Sequence, residues 1–335
     1  MPEIGIVGTT GWATTLGLLA ARSGHSVALW ARSAAEAEEL SRARQNHRLL
    51  PGVTFPSLLT VTASATEALA NAQTVVFAVP SVTMRWNLQA VRNAVPADAQ
   101  LVCATKGLEI ETGKRMTELI AEELGDSELS RTGVISGPNL APEIAAGKLS
   151  SATVAFPDPE PARSVQQQFG SDSFRVYTSA DVIGVELGGA LKNIIAIGAG
   201  VIDGLDMGAN TKAVFVTRGL HEITRLGVAM GARPETFAGL SGMGDLIATC
   251  HSNLSRNYRL GQFLASGLSL PEALEKLGRT AEGVPTTRAA VQLAKRHGVE
   301  MPIAETTLKA LTEGLSPREA AIALMTRAPQ PEVRF

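Results

Sequence analysis

The sequence predicts an α/β fold, in which an N-terminal Rossmann-type doubly wound sheet is followed by an all-helical C-terminal domain. Up to about residue 180, short β-type runs alternate with amphipathic stretches, which is typical of βαβ units in a parallel sheet covered on both faces. After Asp181 the β-type runs stop and helical periodicity takes over. A chain of 335 residues exceeds the usual size of one core. We therefore expect two domains, residues 1–180 and residues 181–335.

The expected elements of the first domain follow one another along the chain. Its predicted strands are EIGIV, SVALWA, TVVFAV, QLVCAT, TGVIS (132–136), SATVAF (151–156) and FRVYT (174–178). Helical patterns lie between the early strands, at 11–23, 33–44 and 82–95. The predicted helices of the second domain include VFVTRGLHEITRLGVAMG, PEALEKLG, TTRAAVQLAKRHG and PREAAIALMTRA.

Composition excludes several classes of protein. The net charge of −2 provides no general attraction to nucleic acid, so any anion must be held by local cations and backbone amides. Cys103 and Cys250 are the only cysteines in the sequence, too few for a disulfide framework or a four-cysteine zinc site. We expect no metal site, and a reducing compartment suits the chain best.

The chain shows no sign of secretion or of membrane insertion. It enters a strand pattern at Glu3 without a basic segment and an apolar leader, which indicates a cytoplasmic protein. The run from Ile183 to Ile202 is long enough to span a bilayer, but it contains Glu186, Lys192 and five glycines. Because charged groups are costly in lipid, we expect a buried helix of a soluble domain and no membrane span.

The stretch GIVGTTGWATTLG (5–17) has the form of a strand that runs into a glycine turn and a helix. A dinucleotide fingerprint has the form G-x-G-x-x-G or G-x-G-x-x-A, and here Gly8, Thr10 and Ala13 occupy its three places. Thr10 puts a β-branched side chain where the diphosphate usually meets bare backbone. Gly11 and the amides of the following helix can compensate. A turn without any ligand is the alternative, and Thr10→Gly should tighten NADPH binding if the motif interpretation is right.

The residue after the second strand bears on the choice of cofactor. NAD enzymes commonly carry an acidic residue about 20 positions after the loop, whereas this chain has Arg32 after VALWA. A guanidinium suits a 2′-phosphate, so NADP(H) is favoured and NAD(H) remains possible. A solvated arginine at the start of a surface helix is the alternative.

Two lysines stand in unusual surroundings. Lys106 follows the strand LVCAT, at the carboxyl edge of the sheet where doubly wound folds bind ligands. Lys192 is the only cation between Ile183 and Ile202. Since an apolar environment lowers the pKa of an amine, such a lysine suits a general acid or base. The alternative is a lysine that extends to solvent from a half-buried helix.

A third candidate cluster lies within GLSGMGDLIATCHSNLSRN (239–257). Asp245 is a carboxylate in a small-residue turn, and Ser255, Arg256 and Asn257 supply a hydroxyl, a guanidinium and an amide in succession. This set suits a phosphate monoester, although such a triplet is more often a helix cap. Cys250 is better explained as a structural cysteine than as a nucleophile, because nothing nearby in the sequence activates its thiol.

Taken together, these segments resemble the NAD(P)-dependent glycerol-3-phosphate dehydrogenase family in its bacterial form, over almost the whole chain. The stretches that carry the resemblance are CATKGLE (103–109), ISGPNLAPEIAAG (135–147), IGVELGGALKNIIAIGAGVIDGL (183–205), GLSGMGDLIATC (239–250), SRN (255–257), EGVPTT (282–287) and GVEMPIAE (298–305). The departure lies in the glycine turn, where the family pattern resembles G-x-G-S-W-G.

The resemblance implies NAD(P)H-dependent reduction of dihydroxyacetone phosphate to sn-glycerol 3-phosphate for phospholipid synthesis. It also implies a homodimer, with the active site of each chain between an NAD(P)-binding domain and a helical substrate domain. It implies that Lys192 is the catalytic acid/base, that Lys106 contacts substrate and cofactor, and that Asp245 supports the site. The implied substrate residues are Lys106, Gly137, Asn139, Lys192, Asp245, Ser255, Arg256 and Asn257. The implied cofactor residues are Gly8, Gly11, Trp12, Arg32, Lys106, Ala141, Arg256 and Glu282.

Other functions stay open from the sequence alone. A 3-hydroxyacid or 6-phosphogluconate type dehydrogenase also combines a dinucleotide domain with a catalytic lysine, although the GMGDL and SRN segments argue against it. The Thr10 departure leaves room for a protein that binds a nicotinamide nucleotide without catalysis. Nucleic-acid binding is disfavoured, because no basic stretch is interleaved with aromatic residues.

Overall fold

The computed structural model describes residues 2–125, 129–278, 280–328 and 332. The chain divides into two compact units. The first comprises Met1–Lys106 and Arg115–Val185, and the second comprises Gly107–Lys114 and Glu186–Phe335. The division therefore falls inside a helix, a few residues after the end of the last strand.

The first unit is built on an eight-stranded sheet. Its strands are β1 (Ile4–Val7), β2 (Val27–Trp30), β3 (Leu59–Thr62), β4 (Thr74–Phe77), β5 (Gln100–Cys103), β6 (Thr132–Ser136), β7 (Ser150–Ala155) and β8 (Phe174–Ser179). Their order across the sheet is β3-β2-β1-β4-β5-β6-β7-β8. The chain reverses its direction across the sheet between β1 and β4, and ligands of doubly wound folds bind at such a switch point.

Helices cover both faces of this sheet, as the sequence predicts. The helices of the first unit are α1 (Gly11–Arg22), α2 (Ala34–Ala43), α3 (Ala65–Leu69), α4 (Met84–Val91), α5 (Met116–Leu124), α6 (Ala141–Ala145) and α7 (Pro159–Phe169). One core forms beneath α1, α6 and α7, and a second forms beneath α3, α4 and α5. Successive strand residues alternate between the two cores, with Val76 in the first and Phe77 in the second.

From Glu186 onward, the regular elements among the described residues of the second unit are all helices, whereas its short segment Gly107–Lys114 contains no helix. Helix α8 (Val182–Gly204) runs from the first unit into the second. It is followed by α9 (Ala209–Ala229), α10 (Pro234–Phe237), α11 (Asp245–His251), α12 (Arg256–Ala265), α13 (Leu270–Leu277), α14 (Gly283–His297), α15 (Pro302–Thr312) and α16 (Pro317–Met325). The predicted fold class, a Rossmann-type sheet followed by a helical domain, is confirmed.

Two details of the sheet differ from the prediction. The pair β6–β7 is antiparallel, so the sheet is mixed rather than wholly parallel. Strand β3 was not predicted, because its sequence LTVT is short and half polar, as suits the edge position that it occupies.

Helix α8 is the apolar segment of membrane-spanning length. It passes the criteria of length and hydropathy, but 89% of its most apolar window is buried inside the protein. Burial of this kind is what a core helix shows, in agreement with the prediction for residues 183–202.

Candidate active site

The side chain of Lys192 is buried in the second unit and held by two partners. The residue is 6% exposed, which rules out a side chain that extends to solvent. Its Nζ donates to Asp245 Oδ1 at 2.5 Å and to Thr249 Oγ1 at 2.6 Å. Asp245 and Thr249 are also buried, and the Thr249 hydroxyl lies 3.3 Å from the same carboxylate oxygen. The amine thus has a fixed position within a small buried polar network.

The local backbone explains how Asp245 reaches Lys192. The glycine-rich segment Leu240–Gly244 forms a π-helical turn, and Asp245 is the first residue of the α-helix that follows. A Cβ atom on Gly188, one helical turn before Lys192, would lie 2.8 Å from the carbonyl oxygen of Ser241. The close approach of α8 to this turn therefore requires glycine at position 188.

A chain of amides lies next to the lysine. The Asn257 Nδ2 group donates to Asn193 Oδ1 at 2.9 Å, and Asn257 Oδ1 accepts from the backbone N–H of Gly283 at 2.9 Å. This network ties α8 to the starts of α12 and α14. The side chain of Asn257, predicted to bind substrate, is thus partly engaged within the protein and keeps one amide N–H group.

The other predicted residues of the second unit lie at helix starts. Ser255 is the N-cap of α12, and its hydroxyl accepts from the N–H of Tyr258 at 3.2 Å. Arg256 is exposed at the first position of that helix, where backbone N–H groups are directed outward. Glu282 is the N-cap of α14 and directly precedes Gly283.

The thiol of Cys250 is chemically inert in this setting. It is fully buried, and burial raises its pKa to about 12. Since the thiolate is the reactive form, the structure supports the interpretation of Cys250 as a structural cysteine.

In the first unit, the glycine turn links β1 to α1 at the carboxyl edge of the sheet. Gly8 has a φ of +115°, a conformation that favours glycine. Thr10 has an extended backbone and is the N-cap of α1; its Oγ1 accepts from the N–H of Ala13 at 3.1 Å and donates to the Ala78 carbonyl at 2.7 Å. The hydroxyl therefore joins the helix start to the end of β4.

The residues of this turn fit a dinucleotide. Gly11 and Trp12 open α1, so their backbone N–H groups have no acceptor four residues earlier within the helix. A Cβ atom at Gly11 would meet only ordinary contacts, at 3.8 Å from Ala141 and Leu49. The Nε1–H of Trp12 is buried without a partner among the described residues. These donors lie at the β1/β4 switch point, where a diphosphate is expected.

The segment after β6 brings further predicted residues together in the first unit. Lys106 Nζ donates to the carbonyl of Gly137 at 3.0 Å. The Asn139 Nδ2 group donates to the carbonyl of Ser151 at 3.1 Å, and Asn139 Oδ1 is buried without a partner among the described residues. Ala141 begins α6, which packs against α1. Lys106, Gly137 and Asn139 thus belong to one cluster.

The sequence analysis did not identify Thr249 as a residue of the site. A threonine four residues after an aspartate gives no signal in the sequence, and its role depends on the contact between α11 and α8 in the folded chain.

The end of β2 carries the predicted residue Arg32 and a second polar residue that was not predicted, Glu36. The side chain of Arg32 is exposed and makes no hydrogen bond or ion pair with the described residues. The nearby Glu36 accepts a hydrogen bond from Thr9 Oγ1 at 2.6 Å. Glu36 lies in the first turn of α2 and not directly after β2, so the expected position of an acidic residue does not identify it.

Both parts of the chain match models of one protein family. Residues 3–162 match the NAD-dependent glycerol-3-phosphate dehydrogenase N-terminus, and residues 181–322 match its C-terminus. The chain belongs to the NAD-dependent glycerol-3-phosphate dehydrogenase family. The recognised resemblance and the predicted enzyme class are therefore confirmed, and the alternative dehydrogenases and the non-catalytic function are set aside.

Individual members of the glycerol-3-phosphate dehydrogenase family match over nearly the full chain. The "glycerol-3-phosphate dehydrogenase [NAD(P)+]" of Pelotomaculum thermopropionicum is 48% identical, over 97% of this chain and 93% of that protein. Its counterpart in Bacillus mycoides is 44% identical, over 99% and 98%. The crystal structure of the Coxiella burnetii glycerol-3-phosphate dehydrogenase has a TM-score of 0.92 and 35% identity, over 97% and 99%. The relatives' names include NAD(P)+, in agreement with the expected cofactors.

Proposed function

We propose that the chain catalyses the reversible, NAD(P)H-dependent reduction of dihydroxyacetone phosphate to sn-glycerol 3-phosphate, with Lys192 as the general acid/base. The observation that carries this assignment is a buried amine that Asp245 and Thr249 hold at 2.5 and 2.6 Å. A bound reduced nicotinamide supplies the hydride. The lysine ammonium polarises the ketone oxygen and gives it a proton, and in the reverse direction the amine removes the proton from the alcohol.

The neighbours of Lys192 fix its position and its charge. The Asp245 carboxylate attracts the ammonium group, and Thr249 donates to the carboxylate while it accepts from the amine. Two fixed partners restrict the rotamers of a long side chain. The amine is then oriented before the substrate arrives, which lowers the entropy that must be lost in the transition state.

The start of α12 is proposed to hold the phosphate of the substrate. Arg256 presents a guanidinium beside the outward-directed N–H groups of the first helical turn. Ser255 and Asn257 shape this turn through their hydrogen bonds to Tyr258, Asn193 and Gly283. Lys106, Gly137 and Asn139 complete the proposed substrate set, with the unpartnered Asn139 Oδ1 as an acceptor for a hydroxyl group.

The glycine turn is proposed to hold the cofactor. Gly8 permits the turn, and the N–H groups of Gly11 and Trp12 face the diphosphate position. Arg32 serves a 2′-phosphate, with NADP(H) favoured and NAD(H) possible. The remaining cofactor residues of the proposal are Lys106, Ala141, Arg256 and Glu282.

We further propose the assignment of domains and the cellular setting. Residues 1–180 form the NAD(P)-binding domain, and residues 181–335 form the helical domain that carries Lys192 and Asp245. The protein acts as a cytoplasmic homodimer that supplies glycerophospholipid synthesis. Light scattering coupled to size-exclusion chromatography tests the dimer, and a mass of one 35.0 kDa chain at micromolar concentration would contradict it.

The catalytic role of Lys192 is tested with Lys192→Met, which keeps the aliphatic stem and removes the amine. The assay follows NADPH or NADH oxidation with dihydroxyacetone phosphate. We expect kcat to fall about a hundred- to ten-thousand-fold, the usual contribution of a general acid. Lys212→Met is the matched control, because Lys212 is also a buried lysine paired with an aspartate, Asp203. Near-normal ketone reduction by Lys192→Met would refute the assignment.

A further inference from the structure

The glycine turn of the first unit contacts a carboxylate from the neighbouring helix. Strands β1 and β2 are parallel and adjacent, with Val7 in register with Trp30, so the segments that follow them meet at one edge of the sheet. Thr9 follows β1, and Glu36 lies in the first turn of α2. The Thr9 hydroxyl donates to Glu36 Oε1 at 2.6 Å.

The contact between Thr9 and Glu36 is held in place from both sides. The carbonyl of Thr9 accepts a hydrogen bond from the side-chain amide of Asn46 at 3.0 Å, and Asn46 is buried, with only 4% of its surface exposed. The backbone N–H of Glu36 donates to the hydroxyl of Ser33, the N-cap of α2. Glu36 is half-buried, whereas residues 32–35 are all exposed. The carboxylate is therefore directed toward the turn rather than toward open solvent.

Two side chains at the end of β2, those of Arg32 and Glu36, thus favour different groups on the cofactor ribose. The Arg32 guanidinium suits a 2′-phosphate. A carboxylate at this edge suits a ribose diol, because it accepts hydrogen bonds from hydroxyl groups and repels phosphate. Oxygen Oε2 of Glu36 accepts no hydrogen bond from any residue that the structure describes, so it can accept one from a hydroxyl group.

We propose that Glu36, anchored on Thr9, is a specificity-determining residue that favours the ribose hydroxyls of NAD(H) and opposes the 2′-phosphate of NADP(H). The inference rests on the proposed function, since it concerns the cofactor of that reaction. Arg32 and Glu36 then act in opposite directions on one choice, and Glu36 keeps NAD(H) usable in a chain whose Arg32 favours NADP(H).

The direct test measures binding of adenosine fragments by calorimetry, independently of catalysis. The fragments 2′,5′-ADP and 5′-AMP differ only in the phosphate at the ribose. In Glu36→Gln the affinity ratio should shift toward 2′,5′-ADP by about fivefold, the effect of one partly solvated charge. Arg32→Ala should shift the ratio in the opposite direction. Glu39→Gln is the matched control, because it removes the same charge from an exposed position of the same helix.

The outcomes separate this inference from the proposed function. An unchanged ratio in Glu36→Gln, an equal shift in Glu39→Gln, or the absence of binding by both fragments would overturn the role of Glu36. The ratio of kcat/KM for NADPH and NADH should follow the fragment ratio. If the wild type reduces dihydroxyacetone phosphate but the ratio does not move, only the role of Glu36 fails. If the fragment ratio moves but no ketone is reduced, the proposed function fails and the inference stands.

Discussion

Removal of the Asp245 charge gives a sharp test of the buried network around Lys192. Asp245→Asn keeps the shape of the side chain but leaves the ammonium without its counter-ion. The side chains of Lys192 and Asp245 are only 8% and 2% exposed. At 2.5 Å, the lost attraction is about 6–7 kcal/mol for an effective dielectric constant of about 20. Since Thr249 and the new amide retain part of the solvation, we expect unfolding free energy to fall by about 3–5 kcal/mol.

The maximum decrease in unfolding free energy caused by Asp245→Asn depends on pH. An ordinary lysine has a pKa of about 10.4, so its deprotonation at pH 7 requires about 4.6 kcal/mol, and about 2 kcal/mol at pH 9. A buried amine without a counter-ion can take this route. The folded variant then binds fewer protons than its unfolded chain, and its stability rises with pH relative to the wild type. The destabilisation should therefore shrink to about 2 kcal/mol or less at pH 9.

Urea unfolding at pH 7 and pH 9 measures this effect. Asp203→Asn is the matched control, because the Asp203 side chain is 31% exposed and its pair with Lys212 should contribute only about 1 kcal/mol. The double variant Lys192→Met/Asp245→Asn removes both charges and should recover most of the lost stability. A loss no larger than that of the control, or a double variant as unstable as the single one, would refute the electrostatic argument.

Three further predictions follow from other contacts. Thr10→Gly should lower stability by about 1 kcal/mol, mainly through loss of the hydrogen bond to the Ala78 carbonyl, because glycine is itself tolerated at an N-cap. It should also tighten NADPH, because the N–H of Ala13 is released. Chemical denaturation and calorimetry measure the two effects. Burial raises the pKa of Glu222 to about 7, so the folded chain binds the extra proton and stability declines between pH 4.5 and 7. In the wild type, the unfolding free energy measured by urea titration should therefore be lower at pH 8 than at pH 5, and Glu222→Gln should reduce this difference by about 2–3 kcal/mol. Gly188→Ala should lower kcat, measured in the reductase assay, since the new methyl group meets the Ser241 carbonyl at 2.8 Å.

Most of the fold could be predicted because its signals are local. Strands such as β1 and β4 are continuous apolar runs, and the change of period near Asp181 marks the start of the helical part. The direction of β7 relative to β6 could not be predicted, because it depends on the path of the chain through the short α6 and not on the composition of either strand. The polar edge strand β3 lacked the apolar run that identifies its neighbours.

Some residues of the candidate site could likewise be predicted from the sequence and others could not. Lys192 could be identified because a lone cation in an apolar helix conflicts with its surroundings, and only function or pairing explains it. Its partner Thr249 could not be identified, because the hydroxyl gains its meaning only from the packing of α11 beside α8. Glu36 could not be identified for a related reason: it lies in the first turn of α2 rather than directly after β2, and only the folded chain brings its carboxylate to the Thr9 hydroxyl.

The Thr10 substitution in the glycine turn now has a physical explanation. A hydroxyl has one donor and two acceptor sites, and Thr10 uses it to cap α1 and to bind the end of β4. The Ala13 N–H is thereby withdrawn from any ligand, whereas the N–H groups of Gly11 and Trp12 stay available for the proposed diphosphate. In return, the turn is tied to β4 at the switch point and has fewer conformations to lose on binding. Because a preorganised site loses less entropy on binding, this tie offsets part, but not all, of the loss of the Ala13 donor, and Thr10→Gly should therefore still tighten NADPH.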